Sequence, residues 1–352
     1  MKKLLKKFIK ILLVVLLLVG LWNYDLVIYL LRQFKGQTTI LFKAVPVEDI
    51  LKDPDLKPEY REKLLLTDEI RKYAMDSLGL KNSKNYTLYY DQHDKPLLWV
   101  LTGCLPYELK AKEWWFPYLG DVSYKGFFNE ALALKEEQMI RSQGYETDIY
   151  SPSAWSTLGY FKDPIFSNML KRGPGRLSEL IVHELTHATI YLKSSVDFNE
   201  NLATFIGEKG AEQFLESKYG VESEEYKKYT GYLSDEIIYS DYMMKSAARL
   251  DSLYKTFSEE MTVKEKATKK YTMIASIMYS INQLPLSYPD RYRFDFKNTS
   301  LPNNTEFMSF MRYRKKQDMF NHVFEEKYKS NLKEFIADIV KKNANDEPLP
   351  FQ

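Results

Sequence analysis

The chain has 352 residues, of which 45% are hydrophobic and 15% aromatic, enough for one large domain or two smaller ones. Its formal net charge of +2 hides an asymmetry, because residues 1–24 carry five lysines and no acid, whereas residues 25–352 carry 45 basic and 48 acidic side chains. The main part is therefore slightly acidic, which argues against a nucleic-acid partner. Cys104 is the only cysteine, which excludes an intramolecular disulfide and a zinc site of several thiolates, and we interpret it as a small core residue.

Residues 1–31 are typical of a membrane-targeting segment, with five lysines before the uncharged run Ile11–Tyr24 and a second apolar run at Leu26–Leu31. No small-x-small cleavage site follows Trp22, which favours an uncleaved signal-anchor over a cleaved signal peptide. Ile11–Leu31 is long enough to span a bilayer, and the lysines would keep the N-terminus in the cytoplasm. An interfacial cytoplasmic helix is the alternative, but the apolar run lacks a polar face. The sequence therefore predicts one membrane span with the rest of the chain outside the cytoplasm.

Residues 37–342 contain no linker that would separate independent domains, so we predict a single domain. Sequence periodicity divides it into a sheet-bearing part at about 85–220 and an all-helical part at about 221–342. The predicted helices of the second part are Glu224–Phe257, Thr262–Leu284, Thr305–Tyr313 and Asp318–Lys342. The predicted fold class is therefore α+β and mainly helical.

Several β-rich runs lie in the sheet-bearing part. Asn85–Tyr90 and Leu97–Thr102 are separated by a loop of hairpin length, which predicts a β-hairpin. Asp121–Phe128 and Thr147–Tyr150 are predicted as further strands. We expect these runs to form a small sheet beside the motif described next.

The segment His183-Glu184-Leu185-Thr186-His187 has the pattern H-E-x-x-H. On a helix, residues i and i+4 project from the same face, so both imidazoles can bind one Zn²⁺ at about 2.0–2.1 Å. Glu184 lies between them and can reach a water on the metal without binding the metal itself. Gly173-Pro174-Gly175 precedes the motif, and apolar residues then recur at three- and four-residue intervals, which predicts a helix with one buried face. The motif therefore predicts two zinc ligands and a general base.

A catalytic zinc needs three protein ligands and an open position for water. Glu200 is the predicted third ligand, because it lies downstream of the motif in a segment with its own helical pattern. Small residues follow it on one face (Ala203, Gly207 and Gly210), and they would let this second helix approach closely, as a shared metal requires. The sequence therefore predicts a zincin-like helix pair with one catalytic Zn²⁺, held by His183, His187 and Glu200.

This residue set predicts hydrolysis of a peptide bond. Zinc lowers the pKa of its bound water towards about 7, and Glu184 accepts a proton from that water and passes it to the leaving amine. A further donor should stabilise the oxyanion, and the candidates are Tyr160, His322 and Tyr313, of which Tyr313 is favoured although it also fits a core position. Thr147–Thr157 is interpreted either as a rim strand that pairs with an extended substrate or as a loop that covers the site.

The chain resembles the bacterial putative aminopeptidases, exported zinc-metallopeptidase-like proteins of the gluzincin type. The resemblance extends from about Tyr29 to Tyr313 and is carried by Gly36-Gln37, Ile70–Ala74, Leu78–Leu80, Phe116–Gly120, Tyr124–Phe128, Ala154–Pro164, His183–His187, Phe198–Glu200 and Asn303-Asn304. It implies the same zinc ligands and Glu184 as catalytic base. The chain departs from the pattern in having Trp155 where Tyr is expected, no cysteine for lipid attachment, and no Gly-x-Met-Glu-Asn motif of the kind that recognises a substrate's free amine.

We therefore expect a membrane-anchored zinc peptidase, an aminopeptidase by resemblance, that acts on a peptide substrate in the periplasm or the extracellular space of a bacterium. Secretion after cleavage of the N-terminal segment is the alternative location. Two other functions stay open: a catalytically silent binding or scaffold protein on a zincin fold, and a zinc amidohydrolase that acts on cell-wall peptides. The sequence does not determine the substrate, the choice between exo- and endo-cleavage, or the oligomeric state.

Overall fold

The structure, a computed structural model, describes residues 23–117, 120–152, 162–192, 195–314 and 316–351. The chain divides into two compact units, Met1–Ala44 and Val45–Gln352. The described element of the first unit is helix α1, Tyr24–Lys43. Among the described residues, no helix combines the length and the apolar character that crossing a membrane requires. Residues 11–22 of the predicted membrane span lie outside the described part of the chain, so the predicted anchor is not tested.

The second unit is mainly helical with small sheets, which confirms the predicted fold class. Its helices are α2 Val47–Ile50, α3 Pro58–Asp76, α4 Glu130–Ser142, α5 Pro174–Thr189, α6 Val196–Tyr219, α7 Glu224–Tyr254, α8 Val263–Ile281, α9 Asn304–Arg314, α10 Gln317–Tyr328 and α11 Leu332–Ala344. Its strands are β1 Val45–Pro46, β2 Leu88–Tyr90, β3 Trp99–Cys104, β4 Trp114–Phe116, β5 Gly120–Val122, β6 Tyr124–Phe127, β7 Glu146–Tyr150 and β8 Ile165–Phe166.

The described strands form three small sheets, with the orders β1-β2-β8, β6-β3-β7 and β4-β5. The predicted hairpin between Asn85–Tyr90 and Leu97–Thr102 is wrong, because β2 and β3 belong to different sheets. Tyr89 is in register with Ile165 of β8 in a parallel pair, and β3 pairs antiparallel with β6 and β7. Side-chain alternation identifies a strand, but the choice of partner depends on residues far away in the chain. The single strand expected at Asp121–Phe128 is likewise divided between β5 and β6.

The C-terminal helices follow the predicted positions with one exception. Asp318–Lys342 is not one helix, because the chain leaves helical geometry at Lys329 and Ser330, whose φ angles are 49° and 61°. Asn331 then caps α11, its side chain accepting a hydrogen bond from the backbone N–H of Glu334 at 3.2 Å. The left-handed turn folds α11 back towards α10, and Phe335 of α11 packs edge-on against Phe324 of α10.

Helices α5 and α6 are the packed pair that carries the motif residues. Proline at the first position of α5 suits a helix start, and the buried side chains of Leu177, Ile181 and Leu185 recur along one face. Gly207 of α6 lies where an added Cβ would come within 3.0 Å of the backbone oxygen of Glu179 and 3.2 Å of the Cβ of His183. The missing side chain therefore allows α6 to approach α5 at the level of the motif.

A buried polar network joins the sheet β6-β3-β7 to the C-terminal helices. Lys270 of α8 is 1% exposed and donates hydrogen bonds to Glu146 of β7 and to the backbone oxygen of Pro106, at 2.5 and 2.8 Å. The other oxygen of Glu146 accepts from the backbone N–H of Asn304, at the start of α9. The Asn304 side chain donates to the backbone oxygen of Leu105 at 2.8 Å. These bonds fix α9 against the end of β3.

Candidate metal centre

His183, His187 and Glu200 come together at the contact between α5 and α6. The Nε2 atoms of the two histidines are 3.1 Å apart, and each faces Oε2 of Glu200, at 3.5 Å from His183 and 3.6 Å from His187. The side chain of His183 is 17% exposed, that of His187 is 6% exposed and that of Glu200 is 18% exposed, so the cluster is mostly buried but partly accessible to solvent. The three residues could hold a metal ion.

The triangle of ligand atoms matches the spacing that a small divalent metal needs. Ligand atoms at about 2.0–2.1 Å from a tetrahedral centre lie about 3.3 Å from one another. The observed separations of 3.1, 3.5 and 3.6 Å fall on both sides of that value. Two imidazoles and one carboxylate are also ligands that zinc accepts. The residues therefore fit a zinc ion without rearrangement of either helix.

Glu200 and His187 shift each other's pKa. Burial raises the pKa of the Glu200 carboxyl, but the charge of His187 and the hydrogen bonds from both histidines outweigh burial and hold that pKa well below its usual range. Burial lowers the pKa of His187, and the Glu200 carboxylate outweighs this and raises it. The Nδ1 atom of His187 is buried without a hydrogen-bond partner among the described residues. With its pKa lowered in this way, the carboxylate is ionised at neutral pH.

Asparagines on either side of Glu200 fix its position. The side chain of Asn199 makes two hydrogen bonds to the backbone of Leu192, accepting from its N–H at 2.9 Å and donating to its oxygen at 2.7 Å. Asn201 accepts from the backbone N–H of Lys316 at 2.9 Å, and its backbone oxygen accepts from the Gln317 side chain. The first pair closes the chain between α5 and α6, and the second holds α6 against the start of α10. This role of Asn201 has no local signal in the sequence, because Lys316 and Gln317 lie more than a hundred residues away along the chain.

A second polar cluster joins the same two helices to α7 and α9, and its members on α5 and α6 lie one turn or more along the helix from the metal ligands. Arg314 of α9 binds Glu208 of α6 and Glu236 of α7, both at 2.5 Å. Arg176 of α5 binds Glu236 and also Glu179, the latter at 2.7 Å. We call these five residues the ion network. It connects α5, α6, α7 and α9.

Other predicted residues differ in their positions. Glu184 lies on α5 between the two histidines and is 9% exposed. Tyr160 and the side chain of Tyr313 lie outside the described part of the chain, so neither is tested as an oxyanion donor, and His322 of α10 is exposed. Strand β7 forms an edge of its sheet, as a rim strand would, but residues 153–157 of the predicted rim lie outside the described part. Cys104 is fully buried, and burial raises the pKa of its thiol to about 12, as expected for a core residue rather than a nucleophile.

Comparison with curated proteins and with solved structures found no match. Comparison with protein-family models found a match to the family described as "Putative aminopeptidase", over residues 28–347. The match includes the three candidate ligands, Glu184 and the ion network. Because it covers nearly the whole chain, the protein belongs to the putative aminopeptidase family.

Proposed function

We propose that the protein is a zinc-dependent peptidase of the gluzincin type, with His183, His187 and Glu200 as zinc ligands. The observation that carries the proposal is the triangle of ligand atoms between α5 and α6, with sides of 3.1–3.6 Å. The family description supports a peptidase. When bound, zinc would lower the pKa of a water molecule towards about 7 and polarise a carbonyl group.

The donor set favours a catalytic over a structural metal. Structural zinc sites use four protein ligands, mostly thiolates and imidazoles, whereas catalytic sites use three and keep one position open. Among the described residues the cluster offers three ligands, and the single cysteine is buried elsewhere, in β3. The partial exposure of His183 and Glu200 leaves a path for water and substrate. A silent scaffold would also have no use for a carboxylate at residue 184.

Glu184 is the residue that moves the proton. Its charge acts on His187, so its carboxylate lies beside the ligand cluster, and it is not one of the three ligands. We propose that Glu184 accepts a proton from the attacking water as the new C–O bond forms, and gives it to the amine nitrogen as the C–N bond breaks. Its low exposure keeps bulk water away from this transfer.

The proposal is tested on the full-length protein loaded with zinc and incubated with a diverse peptide mixture, with products identified by mass spectrometry. We expect cleavage by the wild type and by Glu216→Gln, an exposed acid of α6. We expect at least a 100-fold slower reaction for Glu184→Gln, with zinc still bound. Loss of single N-terminal residues would establish an aminopeptidase, and internal cuts would establish an endopeptidase. No cleavage by zinc-loaded wild type would contradict the proposed function and favour the scaffold or the cell-wall amidohydrolase.

We further propose that the domain acts outside the cytoplasm of a bacterium, held by an uncleaved N-terminal anchor. This rests on the sequence of residues 1–31 alone. Protease treatment of cells whose outer envelope has been opened and whose inner membrane is intact, followed by detection of the N-terminus and of the domain, tests it. A domain that stays protected until the inner membrane is broken, or is found in the soluble fraction, would contradict the proposed location.

A further inference from the structure

A lysine, an asparagine and a glutamate meet in the interior, where β7, α8 and α9 come together. The Lys270 ammonium donates to Oε1 of Glu146 at 2.5 Å and to the backbone oxygen of Pro106 at 2.8 Å. The side-chain nitrogen of Asn304 donates to the same Pro106 oxygen at 3.2 Å and to the backbone oxygen of Leu105 at 2.8 Å. The backbone N–H of Asn304 donates to Oε2 of Glu146 at 3.0 Å. The amine and the side-chain amide thus share one acceptor atom and lie beside one carboxylate.

Aromatic side chains enclose these three groups. Lys270 is 1% exposed, Asn304 is fully buried, and the side chain of Glu146 is 15% exposed. Three tyrosine rings surround Nζ of Lys270, with their centroids 5.6–5.8 Å from it: Tyr107, Tyr254 and Tyr271. Groups that are held side by side in a site with little water react with one another far faster than they would in solution.

The surroundings also prepare the amine and the amide for reaction. Burial outweighs the attraction of the Glu146 carboxylate and lowers the pKa of Lys270, which raises the share of the neutral, nucleophilic amine. The Tyr254 hydroxyl donates to Oδ1 of Asn304 at 2.7 Å and polarises the amide carbonyl group. Burial raises the pKa of Tyr254, so this hydroxyl keeps its proton. The site therefore combines a nucleophile, a polarised carbonyl group and a carboxylate that contacts both residues.

We propose that Lys270 and Asn304 become joined by an isopeptide bond between Nζ and Cγ, with Glu146 as the proton carrier. The bond would remove the charge of the buried ammonium, which is costly in an interior of this kind. It would also tie α8 to the first residue of α9 and so close the chain around residues 271–303. A link of this type stabilises a fold by restricting the unfolded chain.

The reaction needs no partner outside this cluster. Lys270 first gives one proton to Glu146, and a rotation of its flexible side chain brings the neutral amine onto Cγ of Asn304. As the new C–N bond forms, the electron pair of the carbonyl bond moves onto Oδ1, to which Tyr254 donates. When the carbonyl bond forms again, the bond between Cγ and Nδ2 breaks, and Nδ2 takes the proton from Glu146. Nζ then gives a second proton to Glu146, and the ammonia carries this proton away as ammonium.

The test is the intact mass of the full-length protein after denaturation, followed by mapping of its tryptic peptides. We expect a mass lower than that of the sequence by one ammonia molecule, and a branched peptide in which Lys270 is attached to Asn304 and is not cut by trypsin. Lys269→Arg changes the exposed neighbouring lysine and should form the bond as the wild type does. Lys270→Arg keeps the positive charge without the amine, and Glu146→Gln keeps the shape without the proton acceptor. Both variants should have the full mass of their sequences.

The wild type alone decides whether the bond exists, so a variant that fails to fold does not weaken the test. Separate, unlinked peptides from folded wild type that has been incubated at neutral pH would overturn the inference. Loss of ammonia without the branched peptide would also overturn it, because cyclisation of an asparagine alone gives the same change of mass. A branched peptide in Glu146→Gln at the wild-type yield would overturn the role of Glu146. The peptide map requires neither zinc nor substrate, so its result is independent of the proposed peptidase activity.

Discussion

Helices α5 and α6 carry two polar clusters that differ in how their charges are balanced. In the ion network, three carboxylates face two guanidinium groups. Arg314 donates to Glu208 and Glu236 at 2.5 Å, and Arg176 donates to Glu179 at 2.7 Å. In the metal cluster, Glu200 and two imidazoles face one another at 3.1–3.6 Å, and no lysine or arginine is paired with Glu200 among the described residues. Each carboxylate of the ion network is paired with at least one arginine, whereas the ligand atoms of the metal cluster converge within 4.8 Å of one another.

The difference shows two ways in which buried carboxylates can be neutralised on one helix pair. In the ion network the positive charge comes from arginines, so the network can stabilise the fold without a metal. In the metal cluster, a bound metal ion would supply the positive charge that neutralises Glu200. We therefore expect changes in the network to act mainly on stability and changes in the cluster to act mainly on metal binding. The predictions below test this separation, starting with the largest expected effect.

Arg314→Met should give the largest loss of stability. It would remove the partner of Glu208 and one partner of Glu236, and breaking a buried ion pair from one side costs about 3–5 kcal/mol. Urea denaturation of the metal-free protein measures this cost. The control is Lys245→Met, in an exposed pair with Asp241 that should contribute less than about 0.5 kcal/mol. Similar values for both variants would mean that the network does not stabilise the fold.

His187→Ala should act on the metal instead. We expect zinc affinity to fall more than 100-fold, beyond the 10- to 100-fold typical of residues that only support a ligand. The metal-free variant should lose less stability than Arg314→Met. Competition with a chromophoric chelator measures the affinity, and His322→Ala, an exposed histidine of α10, is the control. A His187→Ala protein that binds zinc as tightly as wild type would exclude this residue as a ligand.

Gly207→Ala tests the contact that both clusters share. The added methyl would meet the backbone oxygen of Glu179 at 3.0 Å and the Cβ of His183 at 3.2 Å. Overpacking costs about 1–3 kcal/mol and the helix propensity of alanine returns up to about 1 kcal/mol, so we expect a net loss of about 1 kcal/mol. Zinc affinity should fall about tenfold, because the ligands on α5 and α6 move apart.

Gly210→Ala is the matched control for this contact. Its methyl would meet Leu78 Cδ1 and Val182 Cγ1, both at 2.9 Å, and neither atom belongs to a ligand residue or to the backbone of α5. We therefore expect zinc affinity close to that of the wild type. If Gly210→Ala lowers the zinc affinity as much as Gly207→Ala does, the loss comes from a general displacement of α6 and not from the contact beside His183.

The smallest expected effect is a pH dependence in the ion network. Burial raises the pKa of Glu208 to about 7, because Arg314 offsets only part of the burial and of the charges of Glu179 and Glu236. The folded protein therefore holds a proton that the unfolded chain releases near pH 4.5. This contribution to stability is complete below pH 4.5 and is lost as the pH rises through about 7.

Glu208→Gln removes the titrating group. Relative to wild type, the variant should become more stable by about 1 kcal/mol or more between pH 5 and pH 8. Urea denaturation at both pH values measures the change, and Glu222→Gln, an exposed acid, should show almost none. A stability difference that is constant with pH would mean that Glu208 is ionised throughout this range.

The metal cluster could be predicted because its signals are local. His183 and His187 share a helix face by spacing alone, and Glu200 follows in a segment whose apolar pattern and small residues indicate a second helix. The partners of β2 and β3 could not be predicted in this way, since Tyr89 pairs with a strand more than seventy residues away. The ion network was missed for the same reason, because its meaning depends on contacts between helices that only the folded chain brings together.

The network around Lys270 also determines how the chain can be cut. A fragment that ends near Gly220 would keep Glu146 but lose Lys270 and Asn304, the two residues that bind its carboxylate. A fragment that begins there would keep a lysine whose carboxylate and carbonyl partners, on Glu146 and Pro106, are gone. Each half would contain a buried charged group without its partner. Proteolysis in the connection between α6 and α7 should therefore yield unstable fragments rather than independently folded domains. Expression of the sheet-bearing part alone is therefore a poor route to a smaller enzyme.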